Sequence, residues 1–183
     1  MIFKEKRIIL NNGKTAILKS PETSDAQRML DYITTACGET DFLARYPEEW
    51  DNMSVEKEEA WIKEAIDNPN AIMINCVIDG EIAGNCEIRF RTGIKTAHRS
   101  TVAIAILKKY WNLGIGSAMF TELIQIAKDR KGTEIIELEY LEGNERGKAL
   151  YEKFGFVTVA VKPKICKLKD GTYQDLFYMQ KEI

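Results

Sequence analysis

Two glycines, Gly114 and Gly116, separate an apolar run, Thr101 to Leu107, from a stretch of helical spacing that opens near Ile115. With no Cβ in the way, such a backbone turns tightly and several N–H groups converge at the start of the helix. The chemistry this suits is the holding of an anion, and a phosphate above all. The helix dipole adds roughly half a positive charge at the same spot, so no Lys or Arg side chain has to reach it. About thirty residues further on, Asn144 and Tyr151 stand seven residues apart in a second helical stretch. At about 100° per residue they return to nearly one face, an amide and a phenol on the same side of the helix.

These groups need elements to carry them. Two strand-like runs flank Asn12-Gly13, a dipeptide suited to a hairpin turn. Ser24-Asp25-Ala26-Gln27 has a capping-box pattern before a helix whose apolar stripe is Met29, Leu30 and Ile33. A second helix starts at Ser54, with Glu56, Glu58 and Glu59 in its first turns and Ile62, Ala65 and Ile66 inward, and Pro69 ends it. Ala71 to Ile78 and Glu81 to Phe90 pair across Asp79-Gly80. The central run Thr101 to Leu107, the helix from Ile115 and a strand from Thr133 to Leu141 make a βαβ crossover. Asn144 has the character of an N-cap for the last helix. Val157 to Val161 and Thr172 to Met179 close the sheet, with Lys162, Lys164, Lys167 and Lys169 as a basic patch between them.

The pairing of Leu113-Gly114-Ile115-Gly116-Ser117 with Asn144-Glu145-Arg146-Gly147-Lys148-Ala149-Leu150-Tyr151-Glu152-Lys153-Phe154-Gly155-Phe156 resembles the GNAT superfamily of acyl-CoA-dependent N-acyltransferases, most closely from about Gly84 to Phe156. That pattern is a strand, then Gln/Arg-x-x-Gly-x-Gly/Ala opening a helix, another strand, and Asn-x-x-Ala-x-x-Leu-Tyr-x-x-x-Gly-Phe. The chain departs from it at Trp111, where Gln or Arg is usual, and at Gly147, where Ala is usual. The resemblance implies an α/β fold: a central mixed sheet of about seven strands flanked by about four helices, in one domain spanning residues 1–183.

It further implies a central strand that bulges and splays from its neighbour, with Ile104, Ala105 and Ile106 along the pantetheine arm and the Ile106 N–H as donor to the thioester oxygen. Asn112, Leu113, Gly114, Ile115, Gly116 and Ser117 map onto the pyrophosphate loop. Asn144 contacts the cofactor, and Tyr151 protonates the departing thiolate. Glu139 falls where family members that acetylate peptide N-termini place a general base, ahead of Glu137 and Glu87. The polar-aromatic segment Cys37 to Asn52, with Phe42, Tyr46 and Trp50, corresponds to an acceptor region.

The function that follows is N-acetyl transfer from acetyl-CoA directly to a primary amine of a peptide or small molecule. A lysine amine has a pKa of about 10.4 and an α-amine about 8, so the attacking amine needs a base or a desolvating site. The rival reading is a non-catalytic acyl-CoA sensor of the same fold. A dinucleotide-binding domain would want a third glycine where Met119 stands, and a P-loop would want Gly-Lys-Ser/Thr.

Composition agrees with one soluble domain: 183 residues, 45% hydrophobic, 30% charged, and a formal charge of -2 that offers nucleic acid and anionic membrane no broad attraction. The four cysteines lack metal-ligand spacing and read as reduced, no run is long enough to span a bilayer, and the expected setting is the cytoplasm. No metal is expected. The sequence leaves open a homodimer and the identity of the acceptor.

Overall fold

Asn12-Gly13 does reverse the chain, between β1 (Lys6–Ile9) and β2 (Thr15–Lys19), in a computed structural model that describes residues 1–183. The first long helix, α1 (Ala26–Glu39), is preceded by a 3-10 turn at Thr23–Asp25. The expected box at Ser24-Gln27 is displaced: the Glu22 N–H donates to the Asp25 carboxylate at 3.0 Å, two residues earlier. Helix α2 (Val55–Asp67) is capped as the sequence suggests, with the Ser54 hydroxyl accepting from the Lys57 N–H.

The strands β3 (Ala71–Ile78), β4 (Glu81–Phe90) and β5 (Arg99–Ile106), the helix α3 (Ile115–Asp129), β6 (Ile135–Leu141), α4 (Glu145–Lys153), β7 (Val157–Lys167) and β8 (Tyr173–Glu182) complete the chain. Eight strands form one sheet in the order β1-β2-β3-β4-β5-β6-β8-β7. Only β5 and β6 run parallel; every other neighbour is antiparallel. The last two strands run several residues further than the sequence suggests. The lysines expected between them lie mostly in β7, an edge strand interrupted where Lys164 takes a positive φ of 54°. Edge strands tolerate such charge, which discourages pairing with other chains.

The two faces of the sheet are covered by different helices. On one, Ile115, Met119, Phe120 and Leu123 of α3 and Tyr151 of α4 pack with Ile74, Ile88, Ile136 and Met179. On the other, Met29 and Tyr32 of α1 and Ile62 and Ala65 of α2 pack with Met73 and Ile82. No helix is long and apolar enough to cross a membrane.

The feature that positions the site is a parting of strands. β5 pairs with β6 only through Arg99↔Ile135, Ser100↔Ile136 and Thr101↔Glu137. Beyond that, β5 stays with β4 as far as Ile106 while β6 stays with β8 as far as Leu141, so the sheet opens in a V. The splay expected of the central strand is there. The bulge is not: the β4–β5 register runs unbroken from Phe90↔Ser100 to Gly84↔Ile106.

Candidate active site

In an antiparallel ladder the backbone polar groups of alternate residues point to opposite sides of the strand. The Leu107 N–H donates to the Ala83 carbonyl at 3.0 Å, which turns the odd-numbered residues of β5 toward β4. At the other end of the strand, the His98 carbonyl accepts from the Glu134 and Ile135 N–H groups, so the even-numbered residues face β6. Ile104 and Ile106 therefore turn their N–H groups into the V, where β6 no longer reaches them. Ala105 turns its own toward β4 and offers the V only a methyl group.

The floor of the V leads to α3. Gly114 sits at its N-cap with φ of 88°, the left-handed region that glycine takes without strain. The first bond of the helix is from the Ala118 N–H to the Gly114 carbonyl at 3.0 Å. The N–H groups of Ile115, Gly116 and Ser117 thus precede the helical ladder and are free for a ligand. Gly116 is where three elements meet: a Cβ there would stand 3.0 Å from Leu150 of α4 and 3.5 Å from Ile106 of β5.

Two supports of this loop were not visible in the sequence. Asn11, in the β1–β2 turn, donates from its side chain to the Asn112 carbonyl at 3.0 Å and from its backbone to the Leu113 carbonyl at 3.0 Å. Arg146, on α4, lays its guanidinium over the Trp111 ring, 4.6 Å from the centroid, and donates to Asn112 Oδ1 at 2.8 Å. Trp111 replaces the expected Gln or Arg, yet a cation stands beside the loop, brought from another element. The Trp111 indole N–H donates to the Ile106 carbonyl at 2.7 Å. Lys153 adds a bond to the Ser117 hydroxyl at 3.0 Å.

One cleft of about 950 Å³ joins these parts, lined by Ile104, Ala105, Ile106, Asn112, Gly114, Ile115, Gly116, Ser117, Asn144, Tyr151 and Glu139. Leu113, grouped with them from the sequence, packs against the core instead. Asn144 spends its Oδ1 on capping α4, accepting from the Gly147 N–H at 2.9 Å. Tyr151 is buried against Phe120, with centroids 5.4 Å apart, and Tyr140, 6.0 Å. Burial, and to a lesser degree Tyr140, push its phenol up to about 12. No protein group bonds its hydroxyl.

The three carboxylates separate clearly. Burial would raise the Glu137 carboxyl, but Arg99 at 2.5 Å and Arg91 at 2.9 Å hold it below its ordinary value, as a charged clamp tying β6 to the start of β5 and the end of β4. Glu87 pairs with Arg89 at 2.8 Å. Glu139 is exposed on the cleft wall without a salt bridge. From the segment at residues 37–52, Glu39, Thr40, Phe42, Leu43 and Ala44 reach the cleft, whereas Tyr46 and Trp50 do not. Val159, Ile165 and Tyr178 face them from the β7–β8 side.

The profile of the Acetyltransferase (GNAT) family matches residues 38–156. An L-amino acid N-acetyltransferase, AaaT, of Escherichia coli (strain K12) is 26% identical over 119 residues, 65% of this chain and 73% of that one. An N-alpha-acetyltransferase of Sulfurisphaera tokodaii is 32% identical over 94 residues, 46% of this chain and 55% of its own length. An acetyltransferase of the GNAT family from Streptococcus pneumoniae superposes with a TM-score of 0.83 at 25% identity, over 92% of this chain and 99% of its own.

Proposed function

The chain belongs to the Acetyltransferase (GNAT) family, and from that premise we propose that the V between β5 and β6 admits the thioester of acetyl-CoA while the start of α3 holds its diphosphate. The protein is an N-acetyltransferase with acetyl-CoA as acyl donor and an amine as acceptor. The observation that carries the assignment of the site is convergence: the unpaired amides of Ile104 and Ile106 and those of Ile115, Gly116 and Ser117 open on one cleft. All are donors suited to an electron-rich ligand, and a fixed backbone donor of this kind is typically worth about 3 kcal/mol to a developing oxyanion.

In this reading the Ile106 N–H takes the negative charge that grows on the thioester oxygen as the amine attacks. Arg146 faces the diphosphate beside the α3 amides. Glu139, directly or through water, accepts the proton that the amine gives up; Glu137 is withdrawn from that role by its two arginines. Tyr151 stands at the sulfur. A thiol has a pKa of about 8.5, so a phenol raised to about 12 is the weaker acid and a complete transfer of its proton runs uphill. Its contribution is a hydrogen bond to the departing thiolate, which stabilises the charge until the proton released by the amine arrives. Products are the N-acetylated amine and free CoA thiol, and the transfer is direct, in a ternary complex.

The acceptor is a primary amine of a small molecule or peptide, entering between residues 39–44 and the β7–β8 strands, where Phe42, Leu43, Val159 and Ile165 give the wall an apolar character. Residues 1–183 act as one catalytic domain, working in the cytoplasm. The test is release of CoA thiol across a panel of amines headed by L-amino acids and short peptides. Turnover with any of them supports the reading; CoA binding without turnover on the whole panel would make this a sensor.

A further inference from the structure

Tyr32 of α1 is only 4% exposed, and its hydroxyl lies inside the β4–β5 ladder. Asn85 and Ala105 are paired in register, and in an ordinary ladder this pair would exchange N–H···O bonds in both directions. Instead the Asn85 N–H donates to Tyr32 Oη at 3.1 Å, and the hydroxyl donates to the Ala105 carbonyl at 2.8 Å. One ladder bond has been replaced by a relay through a phenol from the neighbouring helix.

Satisfying the backbone does not require this. With a phenylalanine in place of Tyr32, the Asn85 N–H and the Ala105 carbonyl have each other. The hydroxyl is also costly to bury: it sits in an apolar layer, and desolvation pushes its pKa far above the usual value, so it stays a protonated donor at any working pH. A chain of polar groups anchors the arrangement, with the Asn85 side chain donating to Asn75 Oδ1 at 2.7 Å and the Asn75 side chain to Met29 Sδ at 3.2 Å, back on α1.

The Ala105 carbonyl and the Ile106 N–H belong to one planar trans peptide and point in opposite directions. The carbonyl points at Tyr32 and the N–H into the V. We infer that Tyr32 is a positioning residue for acyl transfer: its hydroxyl sets the tilt of the Ala105–Ile106 peptide and polarises it, so that the Ile106 N–H is aimed at the thioester oxygen and donates more strongly. Hydrogen bonds in series strengthen one another by about 10–30% per bond. Gly84 lets the strands come this close, since a Cβ there would stand 3.0 Å from the Ala105 carbonyl oxygen. The inference rests on Ile106 being the oxyanion donor.

The experiment is isotope-edited infrared spectroscopy of acetyl-CoA labelled with carbon-13 at the thioester carbonyl, bound to the protein and to Tyr32→Phe. Bound to the native chain, the carbonyl band falls in frequency. In Tyr32→Phe the fall shrinks and kcat drops about tenfold, a part of the hundred- to thousand-fold that losing an oxyanion donor altogether costs. CoA affinity by calorimetry is unchanged. An equal band shift and equal kcat in both proteins would overturn the inference. No band shift in the native protein would instead remove Ile106 from its role, and this inference with it. If Tyr32→Phe does not fold, 3,5-difluorotyrosine at position 32, a stronger donor of nearly the same size, must enlarge the shift; an unchanged band refutes the role.

Discussion

The indole N–H of Trp111 donates to the carbonyl of Ile106 at 2.7 Å, and this bond gives the mouth of the cleft its polarity. The last carbonyl of β5 is taken while the N–H of the same residue is left for a ligand. Trp111 also offers its face to Arg146, so one side chain fixes the end of the strand and holds a cation beside the loop that opens α3.

Arg146→Ala is therefore expected to raise KM for acetyl-CoA several-fold with little change in kcat. A cation on an aromatic face contributes about 0.5–1 kcal/mol at exposed sites, and its charge adds a screened attraction for phosphate. Steady-state kinetics at low and high salt check it: the difference from the native protein narrows as salt rises. Arg146→Lys restores only part, because an ammonium neither stacks nor forks as a guanidinium does.

Tyr151→Phe keeps the ring against Phe120 and removes the hydroxyl. Turnover should fall about a hundredfold, the scale on which losing one hydrogen bond to a developing negative charge is usually felt, while CoA affinity by calorimetry holds. The native phenol, raised from 10.0 to about 12, stays protonated across the working range, so Tyr151 sets no alkaline limb of kcat below pH about 10. It has a stability signature too. Above its unfolded value the unfolded chain loses the proton while the folded one keeps it, so its contribution is complete below pH 10 and is lost as pH rises toward 12. The melting temperature of Tyr151→Phe should fall less steeply than that of the native protein over that window.

The two carboxylates of β6 should separate cleanly. Glu139→Gln lowers kcat, as steady-state kinetics would show, with no effect on melting. Glu137→Gln does the opposite: it leaves Arg91 and Arg99 without their partner and lowers the melting temperature. Since the folded Glu137 carboxyl lies below its ordinary 4.5, the stability it gives is full above that pH and lost as pH falls through the folded value. Thermal melts between pH 3 and 7 on both variants decide the matter.

Gly116→Val puts a branched side chain against Leu150 and Ile106, at the point where β5, α3 and α4 converge. Overpacking of this kind costs about 1–3 kcal/mol, and the displaced side chains move into the cleft. CoA affinity should drop by more than the melting temperature suggests, as calorimetry and a thermal melt on the same sample would reveal.

Much of this was legible in the sequence for local reasons. The Asn12-Gly13 and Asp79-Gly80 turns, the Ser54 cap and the glycines before α3 act within a few residues of themselves, so spacing and residue type suffice. What escaped acts across the chain. Tyr32 reaches a ladder formed by Asn85 and Ala105, and no local pattern around a tyrosine in a helix says where its hydroxyl ends. The expected bulge in β5 is absent, since the strand holds no extra residue; one bond of its ladder with β4 runs through that hydroxyl instead. Arg146 carried no signal of its own because its partner, Trp111, lies 35 residues earlier by their numbering. The lysines of β7 suggested a loop because an edge strand, half in water, carries charge that an inner strand does not.

The most direct test of the whole account is a crystal structure with CoA bound. The account predicts diphosphate oxygens on the N–H groups of Ile115, Gly116 and Ser117, and the pantetheine arm lying in the V against Ile104 and Ile106. A diphosphate bound away from the start of α3, or a V still empty beside a bound CoA, would contradict it.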